Sequence, residues 1–240
     1  MNKYLLFLLI LPFNIIQAQG IVDAQGALVR SDTLKKTIYL CFSGHNTYDG
    51  FPHVLHVLKK QNVKASFFLT GDFIREQTAL TKRIINAGHY VGAHSNNHLL
   101  YCDWTKRDSL LQSPNTIKQD ISKNISALKT FGVTPRYFMP PYEWYNKKVV
   151  ALAKELNQIT INFSTGTLSN ADYTTPDMPN YRSSKTILKS IFNYEKNHGM
   201  NGFHLLIHPG TSPLRKDKLY LCLNSLITKL KKRGYQFKRF

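Results

Sequence analysis

Two histidines four residues apart are the first feature of this sequence that could do chemistry. His94 and His98 lie near the end of an apolar run that opens at Tyr90 and Val91. On one helical turn, side chains at this spacing project to the same side, so two imidazoles can converge on one cation. A hydrolytic zinc ion usually has three protein ligands. The residues around the pair supply no evident third ligand.

Other polar residues follow the ends of apolar segments that read as strands. They are His45 and Asp49 after the first predicted strand, His94 and His98 after the third, Tyr142 and Glu143 after the fourth, Asp172 after the fifth, and His208 after the sixth. The carboxyl ends of parallel strands meet at one face of a barrel. These residues are therefore expected to share one site.

Predicted strands and helices alternate along the chain. Buried apolar runs predict strands at residues 37–42, 65–69, 90–94, 137–139, 159–163 and 203–207, with a final strand at 235–237. Between them, apolar residues recur at helical spacing, and residues such as Pro114 and Gly88 mark helix starts and ends. This alternation predicts a parallel sheet, wound into a barrel or an open α/β layer.

The first 18 residues have the layout of a secretory signal. Lys3 precedes an apolar stretch that Pro12 interrupts, and Ala18 offers a small residue for cleavage. The apolar stretch is too short to predict a membrane span. We predict a signal at 1–18, a polar leader at 19–36 and one domain at 37–240, in a protein that is periplasmic or secreted. An uncleaved anchor is the alternative, and the oligomeric state is left open.

The formal net charge of +18 would favour anionic polymers by long-range attraction. Lysine is abundant throughout, however, and no basic motif interleaved with aromatic residues indicates a nucleic-acid partner. The three cysteines do not suggest a disulfide framework. Cys41 and Cys222 fit packing positions, and Cys102 stands four residues past His98 as a further candidate metal ligand.

The order and the residue types of five segments resemble those of the polysaccharide deacetylase family, carbohydrate esterase family four. Residues 94–98 are similar to its metal-binding second motif and residues 138–142 to its third. Residues 170–173 are similar to a variant of the fourth motif and residues 205–208 to the fifth. Residues 63–68 are also typical of the family. The resemblance covers nearly all of the chain after the predicted signal.

This resemblance implies a distorted, incomplete (β/α) barrel of about seven parallel strands. It also implies a hydrolase that uses a divalent metal ion, with zinc as the expected ion, to remove acetyl groups from an acetylated poly- or oligosaccharide. The roles it implies are metal binding for His94 and His98, an oxyanion-holding main-chain N–H for Tyr142, a general acid in His208, an orienting carboxylate in Asp172, and an acetyl pocket lined by Leu205.

The first and third motifs depart from the family pattern. Where the family has Thr-Phe-Asp-Asp-Gly, this chain has residues 41–45, which place Ser43 at the base position and Gly44 at the third metal-ligand position. Met139 stands where an arginine normally pairs with the base carboxylate. A buried guanidinium without its anion is costly, so the joint loss is consistent with a rebuilt site.

Two functions of different classes follow. In the first, an enzyme survives: His45 or Asp49 completes the metal site, and Glu143, Asp49 or a metal-bound hydroxide is the base. In the second, the chain is a catalytically inactive glycan-binding pseudoenzyme that uses Trp144, Tyr142 and Tyr173 as stacking surfaces. The enzyme is preferred because His208 and Asp172 remain, and a pure binder has little use for them.

Overall fold

The computed structural model describes residues 20–240. The predicted signal at 1–18 lies outside this range. Within residues 20–240, no helix is both long enough and apolar enough to cross a membrane.

The described chain folds into one sheet of nine strands covered by helices. The strands are β1 (Ile21–Val22), β2 (Leu28–Arg30), β3 (Thr37–Gly44), β4 (Ser66–Leu69), β5 (Tyr90–Ala93), β6 (Tyr137–Phe138), β7 (Ile159–Thr160), β8 (Phe203–Ile207) and β9 (Gln236–Lys238). The helices are α1 (Phe51–Lys60), α2 (Gly71–Glu76), α3 (Thr78–Asn86), α4 (Pro114–Lys129), α5 (Lys147–Glu155), α6 (Ser184–His198) and α7 (Leu223–Lys232).

Strand β3 is the centre of the sheet. It pairs in parallel with β4, β8 and β9, and the sheet continues in parallel from β4 through β5 and β6 to β7. Strands β3 to β9 are thus seven parallel strands, curled into a half-barrel with helices outside. The predicted distorted, incomplete barrel is confirmed.

The segment predicted as a polar leader contributes two strands to this sheet. β1 and β2 form an antiparallel pair, and Arg30 of β2 pairs with Phe203 of β8. Asp23 fixes the turn between them by accepting hydrogen bonds from the main-chain N–H groups of Gln25 and Ala27. Strands of two and three residues are too short to show a period, so the sequence did not reveal them.

The two faces of β3 and β8 are buried in different apolar clusters. Leu40 and Phe42 of β3 belong to the large cluster under the helices, while Cys41 packs in a smaller cluster inside the half-barrel. Leu206 of β8 lies in the interior cluster with Met139. A parallel strand buried on both faces reads as a continuous apolar run, as these two do.

Candidate active site

A cleft of about 730 Å³ opens at the carboxyl ends of the parallel strands. It brings together most of the residues that the sequence singled out. Its lining includes Ser43, Gly44, His45, His94, His98, Trp104, Tyr142, Glu143, Tyr173 and His208. Polar residues that follow different strands therefore do share one site, with the exception of Asp49.

The two spaced histidines lie on a loop after β5, and not on the helical turn that their spacing suggested. Ser95 and His98 have positive φ angles of 67° and 54°, which end any helical path. Helix α4 holds this loop in place. Asn124 Oδ1 accepts a hydrogen bond from the His94 main-chain N–H at 2.8 Å, and the buried Asp120 also holds the loop.

His94 and His98 nevertheless face each other, with ring centroids 5.0 Å apart. The Nδ1–H of His94 donates to the Met139 carbonyl oxygen at 2.8 Å, which leaves Nε2 free of its proton. The pKa of His94 is lowered to about 4 and that of His98 to about 2, mainly by burial, and the neighbouring histidines act in the same direction. Both rings are neutral at pH 7, as metal ligation requires.

The His45 side chain lies close to His94 and His98, but its ring stacks on the His98 ring. Its ring lies 4.4 Å from the His98 ring, centroid to centroid, with only 13° between the planes. The nitrogen lone pairs of imidazole lie in the ring plane, so two stacked, nearly parallel rings cannot both direct one to an ion about 2.0–2.1 Å away. Burial lowers the pKa of His45. Its Nδ1 is buried and has no hydrogen-bond partner in the described chain.

Asp49 is not brought to the histidines. Its carboxylate accepts a hydrogen bond from Tyr220 Oη at 2.8 Å and lies 3.6 Å from Lys218 Nζ. It lines a neighbouring cavity of about 550 Å³ and not the cleft. Asp49 is therefore a partner of the loop before α7 in this structure.

The residues present do not form the three-ligand metal site of the family. Across residues 20–240, no group of three or more His, Cys, Asp or Glu side chains is arranged to hold a metal ion. His94 and His98 are a pair of possible donors, and in residues 20–240 no carboxylate is grouped with them as a third.

Ser43 and Gly44 align with the two carboxylates of the family's first motif. They face opposite sides of β3. Ser43 follows Cys41 on the interior face of β3 and lines the cleft. A Cβ atom built on Gly44 would lie 2.8 Å from Phe51 Cζ, 2.9 Å from Leu69 Cδ2 and 3.1 Å from Phe73 Cδ2. The third-ligand position thus faces the closely packed core beneath α1 and α2.

His208 and Asp172 form a tightly hydrogen-bonded pair. The Nδ1–H of His208 donates to Asp172 Oδ1 at 2.5 Å, and Asp172 Oδ2 accepts from the His208 main-chain N–H at 2.8 Å. Burial disfavours the imidazolium, but the charge and hydrogen bond of Asp172, with the charge of Glu143, raise the pKa of His208 above its ordinary value. The pair is built to hold one tautomer and to carry a proton.

Tyr142 lies on a 3-10 turn directly after β6. Its φ of 60° and the φ of 51° at Glu143 are both in the left-handed region, which is uncommon for residues other than glycine. Such outliers collect at functional sites. Burial raises the pKa of Glu143, whose side chain lines the cleft near His208.

Leu205 does not line the cleft. It belongs to the apolar cluster under the helices, together with Phe203 and Ile207. Side chains alternate along β8, so Leu206 shares the interior face with His208. The structure therefore does not place Leu205 at the acetyl pocket that the resemblance implied.

Trp144, predicted as a glycan-stacking surface, does not line the cleft either. It is half-buried beneath the guanidinium of Arg107, which lies 4.0 Å from its ring, and its Nε1–H donates to the Asp103 carbonyl oxygen. Trp104 takes the cleft position instead and is 54% exposed. The sequence reading missed Trp104 because it stands in an irregular loop with no motif around it.

Comparison with known proteins assigns the family. Residues 30–160, more than half of the chain, match the polysaccharide deacetylase model. The chain therefore belongs to the polysaccharide deacetylase family.

Two curated relatives and one solved structure illustrate the similarity. The chain is 29% identical to the peptidoglycan-N-acetylmuramic acid deacetylase PdaA of Bacillus subtilis over 228 residues, covering 92% of this chain and 76% of PdaA. It is 31% identical to the uncharacterised YlxY of the same organism over 183 residues, covering 76% of this chain but only about half, 49%, of YlxY. It superposes on BA3943, a CE4 family pseudoenzyme from Bacillus anthracis, with a TM-score of 0.72 and 25% identity, covering 90% of this chain and 68% of BA3943.

Proposed function

We propose that this protein is an exported hydrolase that removes acetyl groups from a cell-wall or dietary glycan with a rearranged active site. One observation carries the proposal. The His208–Asp172 pair is intact, and it opens into the same cleft as Tyr142 and the spaced histidines. A pair of this kind needs buried charge and close geometry, which a binding site without turnover does not require.

The mouth of the cleft suits a sugar chain. Trp104, Tyr142 and Tyr173 expose 54%, 46% and 44% of their surface there. Aromatic rings that are apolar on the face and polar at the edge suit the mixed surface of a pyranose. The Tyr173 ring also lies 5.5 Å from the His208 ring, so a sugar against it would present its substituents to the imidazole.

The residues of the cleft take the following roles. His208 transfers the proton between the reacting groups, and Asp172 keeps its Nδ1 protonated and its ring in place. The Tyr142 main-chain N–H donates to the oxygen of the acetyl group as negative charge develops on it. Glu143 adds negative charge near His208 and so favours the protonated imidazole.

A second candidate is a glycan-binding pseudoenzyme. It is favoured by the loss of both first-motif carboxylates at Ser43 and Gly44 and by the apolar Met139 in place of the arginine. The similarity to BA3943, which is described as a pseudoenzyme, points the same way. In this case the aromatic mouth would still bind glycan, and His208 would only orient it.

Acetate release separates the two functions. Purified mature protein is incubated with acetylated chitooligosaccharides, acetylated xylan and peptidoglycan, and His208→Ala is compared with His56→Ala, which changes an exposed histidine on α1. The hydrolase predicts acetate from at least one substrate, unchanged in His56→Ala and reduced at least about 100-fold in His208→Ala. Glycan binding without acetate from any substrate would establish the pseudoenzyme instead.

A further inference from the structure

Ser43 stands beside the His208–Asp172 pair. The parallel ladder between β3 and β8 aligns Phe42 with Ile207, so Ser43 and His208 are the next residues across the two strands. Directly paired residues of neighbouring strands point to the same face of a sheet. Both side chains line the cleft, in agreement with this register.

We propose that Ser43, His208 and Asp172 form a nucleophile, base and carboxylate triad that cleaves acetyl groups from glycans without a metal ion. The proposal rests on the proposed hydrolase function and gives it a mechanism. It assigns a use to the serine that replaces the family's base carboxylate. It also removes the need for a third metal ligand, which the cleft lacks.

The orientation of His208 fits the role of base. Asp172 Oδ1 accepts the Nδ1 proton at 2.5 Å, so the neutral ring carries its lone pair on Nε2. Asp172 is 1% exposed and is anchored a second time by the His208 main-chain N–H. A nucleophile, a base and a third group that orients the base are the general plan of an activated serine.

The Ser43 side chain lines the cleft, and within residues 20–240 no hydrogen bond joins its hydroxyl to His208, whose Nδ1 and main-chain N–H both donate to Asp172. Nucleophile and base are often loosely placed before substrate binds. Rotation of the Ser43 side chain about χ1 as an acetyl group binds would complete the triad.

Tyr142 supplies the remaining element. Its left-handed conformation follows from the Pro140-Pro141 turn, and its main-chain N–H donates to no acceptor in residues 20–240. A donor fixed by a rigid turn stabilises a developing oxyanion without reorganisation. Because Tyr142 lines the same cleft as Ser43, an acetyl carbonyl placed between them can meet both groups.

The reaction balances with these groups and water. Ser43 Oγ bonds to the acetyl carbon as its proton passes to His208 Nε2, and the carbonyl oxygen becomes the oxyanion. Collapse breaks the bond between the acetyl carbon and the sugar oxygen, which takes the proton from His208, leaving Ser43 acetylated. A water molecule gives a proton to His208 and bonds to the acetyl carbon. Collapse of this second intermediate breaks the bond between the acetyl carbon and Ser43 Oγ, which takes the proton back from His208. Acetic acid leaves and loses its proton to solvent, and the Ser43 hydroxyl is restored.

The mechanism predicts a preference for O-acetyl over N-acetyl groups. No metal polarises the carbonyl here, and an ester carbonyl is more electrophilic than an amide carbonyl. The sugar hydroxyl is also a better leaving group than a sugar amine. The expected substrate class is therefore an O-acetylated polysaccharide, with acetylated xylan as the probe.

Covalent labelling tests the triad directly. The full chain is treated with a fluorophosphonate probe in the presence of EDTA, and the modified residue is identified by peptide mass spectrometry. Ser43→Ala is compared with Ser126→Ala, which changes an exposed serine on α4 outside the cleft. We expect labelling at Ser43, acetate release from xylan that withstands EDTA, and a loss of at least about 100-fold in Ser43→Ala with little change in Ser126→Ala.

Each other outcome overturns the triad in a distinguishable way. Acetate release that persists in Ser43→Ala and disappears with EDTA would leave the hydrolase function standing and assign it to a metal. Absence of the label from a wild-type protein that releases acetate would also exclude Ser43 as the nucleophile. No acetate from any glycan, with binding retained, would overturn both the triad and the hydrolase function.

Discussion

At the scale of single residues, Met139 and Gly44, which depart from the family's third and first motifs, fit the packing around them. Met139 packs with Cys41 and Leu206 inside the half-barrel, where an arginine would have no anion to pair with. Gly44 allows Phe51 and Phe73 to close over the end of β3. Both residues are therefore closely packed in the fold.

Gly44→Asp should fail to rebuild the metal site. Its Cβ would approach Phe51, Leu69 and Phe73 at 2.8–3.1 Å, and its carboxylate would enter the apolar core. We expect a loss of about 2–4 kcal/mol in the free energy of unfolding, from overpacking and a buried charge. Urea denaturation measures the loss, with Gly132→Asp as the control, since Gly132 lies in open space.

A variant with Asp at position 44 that is as stable as the wild type and binds zinc more tightly by calorimetry would contradict this packing. Gly132 has a φ of 74°, so its own substitution carries a backbone cost of about 1 kcal/mol. The expected difference between the two variants remains measurable.

At the scale of elements, the long apolar runs predicted the central strands. The short strands β1 and β2 could not be predicted from the sequence. β3 and β8 could be read because both of their faces are buried, while β1 and β2 depend on Asp23 and on pairing with β8. The loop after β5 was read as a helical turn because a spacing of four residues fits a helix. Its shape is set by α4, which the local sequence does not show.

Asp120 of α4 is the main support of this loop. Its buried carboxylate accepts hydrogen bonds from the main-chain N–H groups of Asn96 at 3.2 Å and Asn97 at 2.9 Å, and from Tyr101 Oη at 2.7 Å. Asp120→Ala leaves these donors without a partner. We expect a loss of about 2–4 kcal/mol in the free energy of unfolding by urea denaturation. Asp108→Ala, at an exposed position, should change it by less than about 0.5 kcal/mol.

If Asp120→Ala is as stable as Asp108→Ala, the loop does not depend on α4. The same variant should also disturb His94 and His98, which the loop carries. Changed imidazole signals in NMR spectra would report this, and unchanged signals would count against the proposed support.

Two buried histidines make the sheet sensitive to acid. The pKa of His89 and that of His204 are each lowered to about 4, mainly by burial, and nearby cationic side chains act in the same direction. The unfolded chain takes up these protons near pH 6.5, so stability is complete above that pH and falls as the pH drops toward 4. We expect a loss of about 2–3 kcal/mol per histidine across this range.

Urea denaturation at pH 7.5 and pH 4.5 measures this loss. His204→Gln, which cannot titrate, should reduce the difference between the two pH values. Equal stability of the wild type at both would show that these histidines are not held neutral by the fold.

At the scale of the whole molecule, the sequence located the site but not its mouth. The strand ends indicated one shared face, and His45, His94, His98, Tyr142 and His208 do meet there. The position of Trp104 in the cleft depends on the path of its loop. The face on which Leu206 lies depends on the register of β8. Neither is encoded by residue spacing alone.

Trp104 should contribute to glycan binding at this mouth. Its exposed ring offers a platform beside Tyr142, 5.8 Å away between ring centroids. Trp104→Ala is expected to weaken the binding of acetylated oligosaccharides about 5- to 50-fold in calorimetric titration, with little change in stability. Trp144→Ala should instead lower stability, because Trp144 packs under Arg107. Equal glycan affinity in the wild type and Trp104→Ala would show that the Trp104 ring does not contribute to glycan binding.

We expect this cleft to turn over acetylated glycan. The number of acetate molecules released per protein molecule is measured for the wild type and for His208→Ala on acetylated chitooligosaccharides, acetylated xylan and peptidoglycan, and the substrate with the highest release decides. We predict many acetate molecules per wild-type chain and almost none from the variant. Release of no more than one acetate per wild-type chain, or equal release by the two proteins, would contradict the claim.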